Sequence, residues 1–257
     1  MDLEANLRGY LDGGTNSDGR QPNERYASFD YCFNYFQSFR DSGNVSMIAS
    51  ADNVQLSCLH LGFYLASWGM LRGSTELLQK SVRCLIPVLE AVAHTDASFW
   101  EIDAGCYTES NIQRLLQVAD KIRGALPGMS DTLLTKIMLG VFGGVPAFDT
   151  NFKKACRSEH MVQTFGASAL RKIGAFYKHN AAVIDAYRVP TLDLISGRHT
   201  DRCYTRAKVI DMAFFMEGEK LAVRARDLER INAAADRLNA EATEVLEYQS
   251  LSTSQSS

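Results

Sequence analysis

Between Leu126-Pro127-Gly128 and Asp149-Thr150-Asn151 runs the stretch that most restricts how this chain can fold. Pro127-Gly128 is a turn dipeptide. Ser130 is an N-cap residue type set just ahead of an apolar-periodic run. Leu133, Leu134, Ile137, Met138, Val141 and Phe142 then recur at helical spacing, which predicts a helix with one apolar face. Gly143-Gly144 ends it, because glycine accepts the left-handed backbone of a helix terminus, and Pro146 lacks the N–H that a continuing helix needs. Asp149 stands where the N-cap of the next helix belongs. The stretch therefore reads as turn, helix, turn, helix.

The same periodicity predicts helices over 24–41, 52–70, 109–124, 160–178 and 207–247. The last is either continuous or broken near Gly218. A further helix begins after Ser74 or Thr75 and is kinked or split by Pro87. Residues 94–107 and 188–208 are irregular and leave room for short strands, but nothing reads as a central one. The expected fold class is all-α. Residues 24–249 are expected to form a single helical catalytic region, or two lobes with a cleft near 126–157. The polar, glycine-rich 1–23 reads as a flexible arm, and the serine-rich 250–257 as a disordered tail. In the last helix Leu221, Leu228, Ala235 and Ala242 repeat every seven residues beside Ile231, Leu238 and Val245. This seam either packs on the body or joins a second chain, too weakly patterned for a coiled coil. A monomer is expected, with dimerisation through this helix as the alternative.

The chain of 257 residues is 46% hydrophobic and 22% charged, as expected of a globular protein with a large core. Its net charge of −3 carries no global basic signature, so any nucleic-acid role needs a local basic face. The six cysteines are scattered without a CxxC pair, and no signal-like segment opens the chain. Reduced thiols in a cytoplasmic protein are the expectation. His60, His94, His160, His179 and His199 show no metal-ligand spacing, and no phosphate loop follows a strand, so neither metal nor cofactor is expected.

The stretch 126–151 resembles the helix-hairpin-helix DNA glycosylases. In that family a Leu-Pro-Gly hairpin precedes a helix, and an Asp-Thr-His or similar triplet opens a later one and supplies the catalytic carboxylate. Here the hairpin reads Leu126-Pro127-Gly128 and the triplet Asp149-Thr150-Asn151. Three features depart from the family. Ser130 replaces the hairpin's second glycine. Asp131, Thr132 and Leu133 occupy the region where bifunctional members carry a lysine, with Lys136 about one turn later. The four-cysteine iron–sulfur pattern is missing. Leu65-Ala66-Ser67-Trp68-Gly69-Met70 and the segment from Lys136 to Asp149 also look like small bacterial proteins encoded among phage-defence genes.

The resemblance implies a glycosylase that binds double-stranded DNA with modified bases, turns a nucleotide out of the stack and cleaves its N-glycosidic bond. Asp149 is then the catalytic carboxylate beneath an oxocarbenium-like sugar. Gly128, Ser130, Lys136, Asn151, Lys153, Arg198 and Arg202 are the DNA contacts. Tyr31, Asn34, Tyr35 and Trp68 are the base contacts, and the substrate is a modified cytosine such as glucosylated hydroxymethylcytosine. Without the family lysine the enzyme is monofunctional and leaves an abasic site. A Schiff-base route reopens if Lys136 reaches the sugar. The residues alone also allow plainer roles. Asp149 serves as an ordinary N-cap, and Lys136 as a surface lysine. Helix 24–41 is an aromatic core helix, and 188–208 a solvated loop. On those readings the chain is a non-enzymatic helical binding or regulatory protein of a defence locus.

Overall fold

The computed structural model describes residues 1–12, 20–73 and 75–254, and the side chains of these apart from Glu76 and 239–254. The described residues are mostly helical, so the all-α expectation holds. In chain order the helices are α1 (Leu3–Leu11), α2 (Ala27–Asp41), α3 (Val54–Ser67), α4 (Ile86–Ala93), α5 (Glu109–Ala125), α6 (Asp131–Phe142), α7 (Thr150–Ser158), α8 (Ala167–Ala186) and α9 (Arg206–Ser254). Strands β1 (Pro190–Leu192) and β2 (His199–Cys203) pair antiparallel between α8 and α9.

Helix α6 is the axis of the fold. Ser130 Oγ accepts from the Leu133 amide at 3.2 Å and starts the helix. Gly143, at φ 69°, closes it in the left-handed conformation. The turn from α5 passes through Gly128 at φ 80°, which a side chain would strain. Every residue from Leu133 to Phe142 is buried, so the predicted single apolar face is in fact burial on all sides. Helices α2, α3 and α5 pack around it. Tyr64 of α3 lies so close to Gly140 that a Cβ there would sit 2.4 Å from its ring. Gln37 of α2 donates to the Val141 carbonyl at 3.0 Å, satisfying one of the last orphan acceptors of α6.

The loop after α6 folds back along it. The Phe148 amide donates to Thr135 Oγ1 at 2.8 Å, and Thr132 Oγ1 donates to the Phe148 carbonyl at 2.8 Å. These bonds bring Asp149, at the mouth of α7, beside the middle of α6. The first turns of α9 are buried and cross α7 at Gly218, where an added Cβ would meet the Asn151 carbonyl oxygen at 2.0 Å.

Several expectations are corrected. The segment 1–23 was expected as an arm, but it contains α1, capped by Asp2 and packed on α9 through an Asn6–Glu217 hydrogen bond of 2.8 Å and a Lys220–Asn6 one of 2.6 Å. Residues 13–19 lie outside the described residues. Pro87 sits in the first turn of α4, where its missing N–H costs nothing, so it starts a helix rather than kinking one. The helix expected from 160 begins only at Ala167, because His160 turns the chain at φ 54°. Helix α9 is unbroken at Gly218 and runs through Ser254, into the expected tail; 255–257 lie outside the described residues. Of its seam, Leu221 is half-buried and Leu228, Ile231, Ala235 and Leu238 are exposed, while the side chains of Ala242 and Val245 lie outside those described. No described helix is long and apolar enough to cross a membrane.

Candidate functional site

A cleft of about 810 Å³ opens where the mouth of α7, the middle of α6, the end of α3 and α9 meet. Asp149, Lys136, Trp68, Phe215 and Glu219 line it, with Arg25 and Arg72 exposed at its margin. A volume of this order suits a small-molecule site, for which roughly 300–1,000 Å³ is usual.

Lys136 is the unexpected member. It is only 4% exposed, and its ammonium lies 3.2 Å from Asp149 Oδ2 and 5.2 Å from the centre of the Trp68 ring. Burying an ammonium is tolerable only with such partners. The other carboxylate oxygen of Asp149 accepts from the Phe152 amide at 3.0 Å, so Asp149 is the N-cap that its position implies. The helix dipole of α7 further favours negative charge there. Lys136 and the cap use two of the carboxylate's roughly four acceptor positions. The remainder is available on the cleft side, so capping and chemistry are compatible.

Trp68, the residue after α3, is held by rings on two sides. Tyr26 stacks on it at 5.4 Å and Phe215 meets it edge-on at 5.7 Å. Three cations lie over the same indole: Arg25 at 5.3 Å, Lys136 at 5.2 Å and Lys208 at 5.4 Å. Lys208 is buried behind it, bound to Asp211 at 2.9 Å and Tyr10 at 3.2 Å. The indole thus fixes the floor of the cleft and carries part of the field around Lys136. Glu219, one residue past the Gly218 crossing, is half-buried. Burial pushes its carboxyl above the ordinary range; Arg25 and Arg226 oppose this, and Asp149 adds to it.

Of the residues expected from sequence, Trp68, Lys136, Asp149 and Asn151 meet in the cleft. Lys136 does so as a buried partner of Asp149, not as the surface DNA contact expected of it. Gly128 and Ser130 border a smaller hollow of about 200 Å³ that shares Met70 and Thr75 with the cleft. Lys153 lies a turn into α7, outside the lining.

The base contacts expected on α2 lie outside the lining of this cleft. Asn34 is consumed by the β-hairpin, donating to the Leu192 carbonyl at 2.9 Å and accepting from Thr191 at 2.8 Å. Tyr35 bonds Ser57 at 3.0 Å and stacks on His60. Tyr31 donates to the Pro22 carbonyl at 2.6 Å and lines a separate apolar hollow, which meets the cleft only at Arg25 and Ser67. Arg202 is spent on Asn34 and Asp41, and Arg198 is exposed on the hairpin; neither lines the cleft. Both belong to a segment whose own ties run to α2: Asp30 accepts from the Leu192 amide at 2.9 Å and from Tyr204, and pairs with Arg20 at 3.2 Å.

Sequence reasoning missed Arg25, Arg72, Thr132, Phe215 and Glu219. For Glu219 there was a signal. A glycine inside a long helix marks a close backbone approach, and Gly218 is the crossing that brings its neighbour to the cleft. No family model, no curated protein and no solved structure matches the chain.

Proposed function

We propose that the chain is a DNA glycosylase of the helix-hairpin-helix type. Its substrate is a modified cytosine, such as glucosylated hydroxymethylcytosine in phage DNA, and it leaves an abasic site. The observation that carries the reading is the buried Lys136–Asp149 pair at 3.2 Å on the wall of an open cleft, beside a tryptophan and two exposed arginines. An N-cap alone needs no buried lysine and no cleft.

In this reading Arg25 and Arg72 hold phosphates at the margin, and the extruded nucleotide enters against Trp68. The glycosidic electron pair leaves with the base. Asp149 stabilises the positive sugar, orients a water toward C1′ and takes its proton. Lys136 is a positioning residue that pairs with the carboxylate and holds it in place. An ammonium paired with a carboxylate is not a nucleophile, which favours hydrolysis over a Schiff-base route. The volume of the cleft leaves room for a base carrying a bulky substituent.

The test is abasic-site formation, read with an aldehyde-reactive tag on DNAs bearing normal, hydroxymethylated and glucosylated cytosine, uracil or oxidised purines. Sites on one modified DNA that vanish with Asp149→Asn support the reading. A folded protein that acts on none of them overturns it. Borohydride trapping on the same substrates separates the routes: a covalent protein–DNA adduct that disappears with Lys136→Met would establish the Schiff base instead.

A second reading, a non-enzymatic binding protein that associates through α9, draws on the exposed Leu228, Ile231 and Leu238. Size-exclusion chromatography of wild type against a Leu228→Glu, Ile231→Glu variant decides it. An unchanged monomer in both excludes association through this face.

A further inference from the structure

Two residues of the cleft lining each carry a polar atom that stands out. Trp68 Nε1 and Glu219 Oε2 are both shielded from solvent, and neither has a hydrogen-bond partner among the described residues. A polar atom that has lost its hydration and gained no partner is a standing cost to the fold. Native proteins keep few of them, so each calls for an explanation. Two such atoms on residues of one cleft, one a donor and one an acceptor, are what a ligand would satisfy by offering an acceptor to the indole and a donor to the carboxylate.

We propose that Trp68 and Glu219 are the base-reading pair of this cleft, taking a nucleobase by its pairing edge, where a donor adjoins an acceptor. The inference rests on the glycosylase reading for the source of the base and adds the residues that select it. The indole N–H only donates and an ionised carboxylate only accepts, so the pair imposes a direction. With a cytosine, the N4 amino group meets Glu219, a pairing known for acidic side chains, and ring N3 meets Trp68. Phe215 and Tyr26 hold the indole plane, so its N–H direction is set before the ligand arrives. The raised proton affinity of Glu219 has the same origin, since the carboxylate is desolvated without a compensating donor.

The two tryptophans of the chain provide an internal control, because Trp100 Nε1 is already bonded to Thr95 Oγ1 at 2.9 Å. Nitrogen-15 indole spectra of the full chain are recorded with duplexes carrying 2′-fluorinated cytosine, hydroxymethylcytosine, uracil or adenine nucleotides, whose glycosidic bonds resist cleavage. The expected result is a downfield shift of the Trp68 N–H peak, with Trp100 unmoved, on a cytosine-type base. Trp68→Phe and Glu219→Gln should each weaken that binding about tenfold, by removing a donor and a charge-assisted acceptor. A Trp68 peak unmoved by every duplex, or variants that bind as tightly as wild type, would overturn the pair. The two proposals fail separately. Excision with an unmoved peak sinks only the base-reading pair, and a moved peak without excision on any DNA sinks only the glycosylase.

Discussion

Replacing Gly218 by alanine tests the packing that assembles the cleft, and the sign of the effect decides. In an open helix, alanine is favoured over glycine by about 1 kcal/mol. At Gly218 the new Cβ would lie 2.0 Å from the Asn151 carbonyl oxygen and 2.5 Å from its Cα. Both are backbone atoms in the first turn of α7, so no side chain can swing aside. Carbon contacts become favourable only near ~3.5 Å, so the helices must part by more than ~1 Å. Overpacking of this kind costs about 3 kcal/mol or more when backbone must move. The net destabilisation is then about 2 kcal/mol, or a Tm lower by roughly 4–8 °C for a chain of this size. The separation would also loosen the Phe152–Phe214 stack, at 5.0 Å between centroids, and move Glu219 away from Asp149. Gly124, in the last turn of α5, has nothing within 4 Å of its would-be Cβ. Gly124→Ala should therefore raise Tm by up to ~3 °C. Calorimetric melts of the two variants beside wild type are sufficient. If Gly218→Ala also raises Tm, the α7–α9 crossing does not exist as described, and the convergence of Asp149 and Glu219 falls with it.

Four further outcomes follow from the site and its supports. Asp149→Asn keeps an oxygen to cap Phe152 but strands the buried Lys136 ammonium, so abasic-site formation should be lost and stability should fall by about 3 kcal/mol; an unchanged Tm would mean that the ion pair carries no stability. Lys136→Met strands the Asp149 carboxylate and should cost about 3 kcal/mol, part of which Asp149→Asn recovers in the double variant; additive losses in denaturant melts would mean the pair is not coupled. If Arg25 and Arg72 each hold a phosphate, replacing both by alanine should reduce the slope of log affinity against log salt by about 2, and an unchanged slope would remove them from the DNA path. Asp30 provides the pH test: burial, only partly offset by Arg20 and Tyr204, lifts its carboxyl from 3.8 to about 6. Below about pH 4 both states hold the proton; between about 4 and 6 only the folded state does, so stability falls as pH rises, by about 3 kcal/mol in all, and is flat above. The wild-type curve minus that of Asp30→Asn should show this fall, and a level difference would refute the buried charge.

The parts of the fold legible in the sequence are those decided within a turn or two of chain. Ser130, Gly143 and Asp149 announce the ends of α6 and α7 because a cap bonds to an amide three residues away, and a left-handed terminus needs glycine. What stayed hidden is decided between helices. The six apolar positions of α6 specify one apolar face, yet the helix is buried all round, because a neighbour can cover a polar face if it brings the right partner. Lys136 shows how: it stands thirteen positions before Asp149 in sequence, and the Thr132 and Thr135 bonds to Phe148, with that of the Ala147 amide to Asp211, fold the loop back to close that gap. Lysine spacing carries no trace of such a bond. The same holds for Tyr31, Asn34 and Tyr35, whose residue types suit a base pocket, but whose polar atoms are taken by Pro22, the hairpin and Ser57. A polar side chain declares what it can bind, and only the packing shows which atoms are left to bind it. In this cleft the atoms left over belong to Trp68 and Glu219. The first is among the base contacts expected from sequence and the second is not, and each owes its place to a contact with a distant segment: Tyr26 for the indole, the Asn151 backbone for the helix that carries the carboxylate.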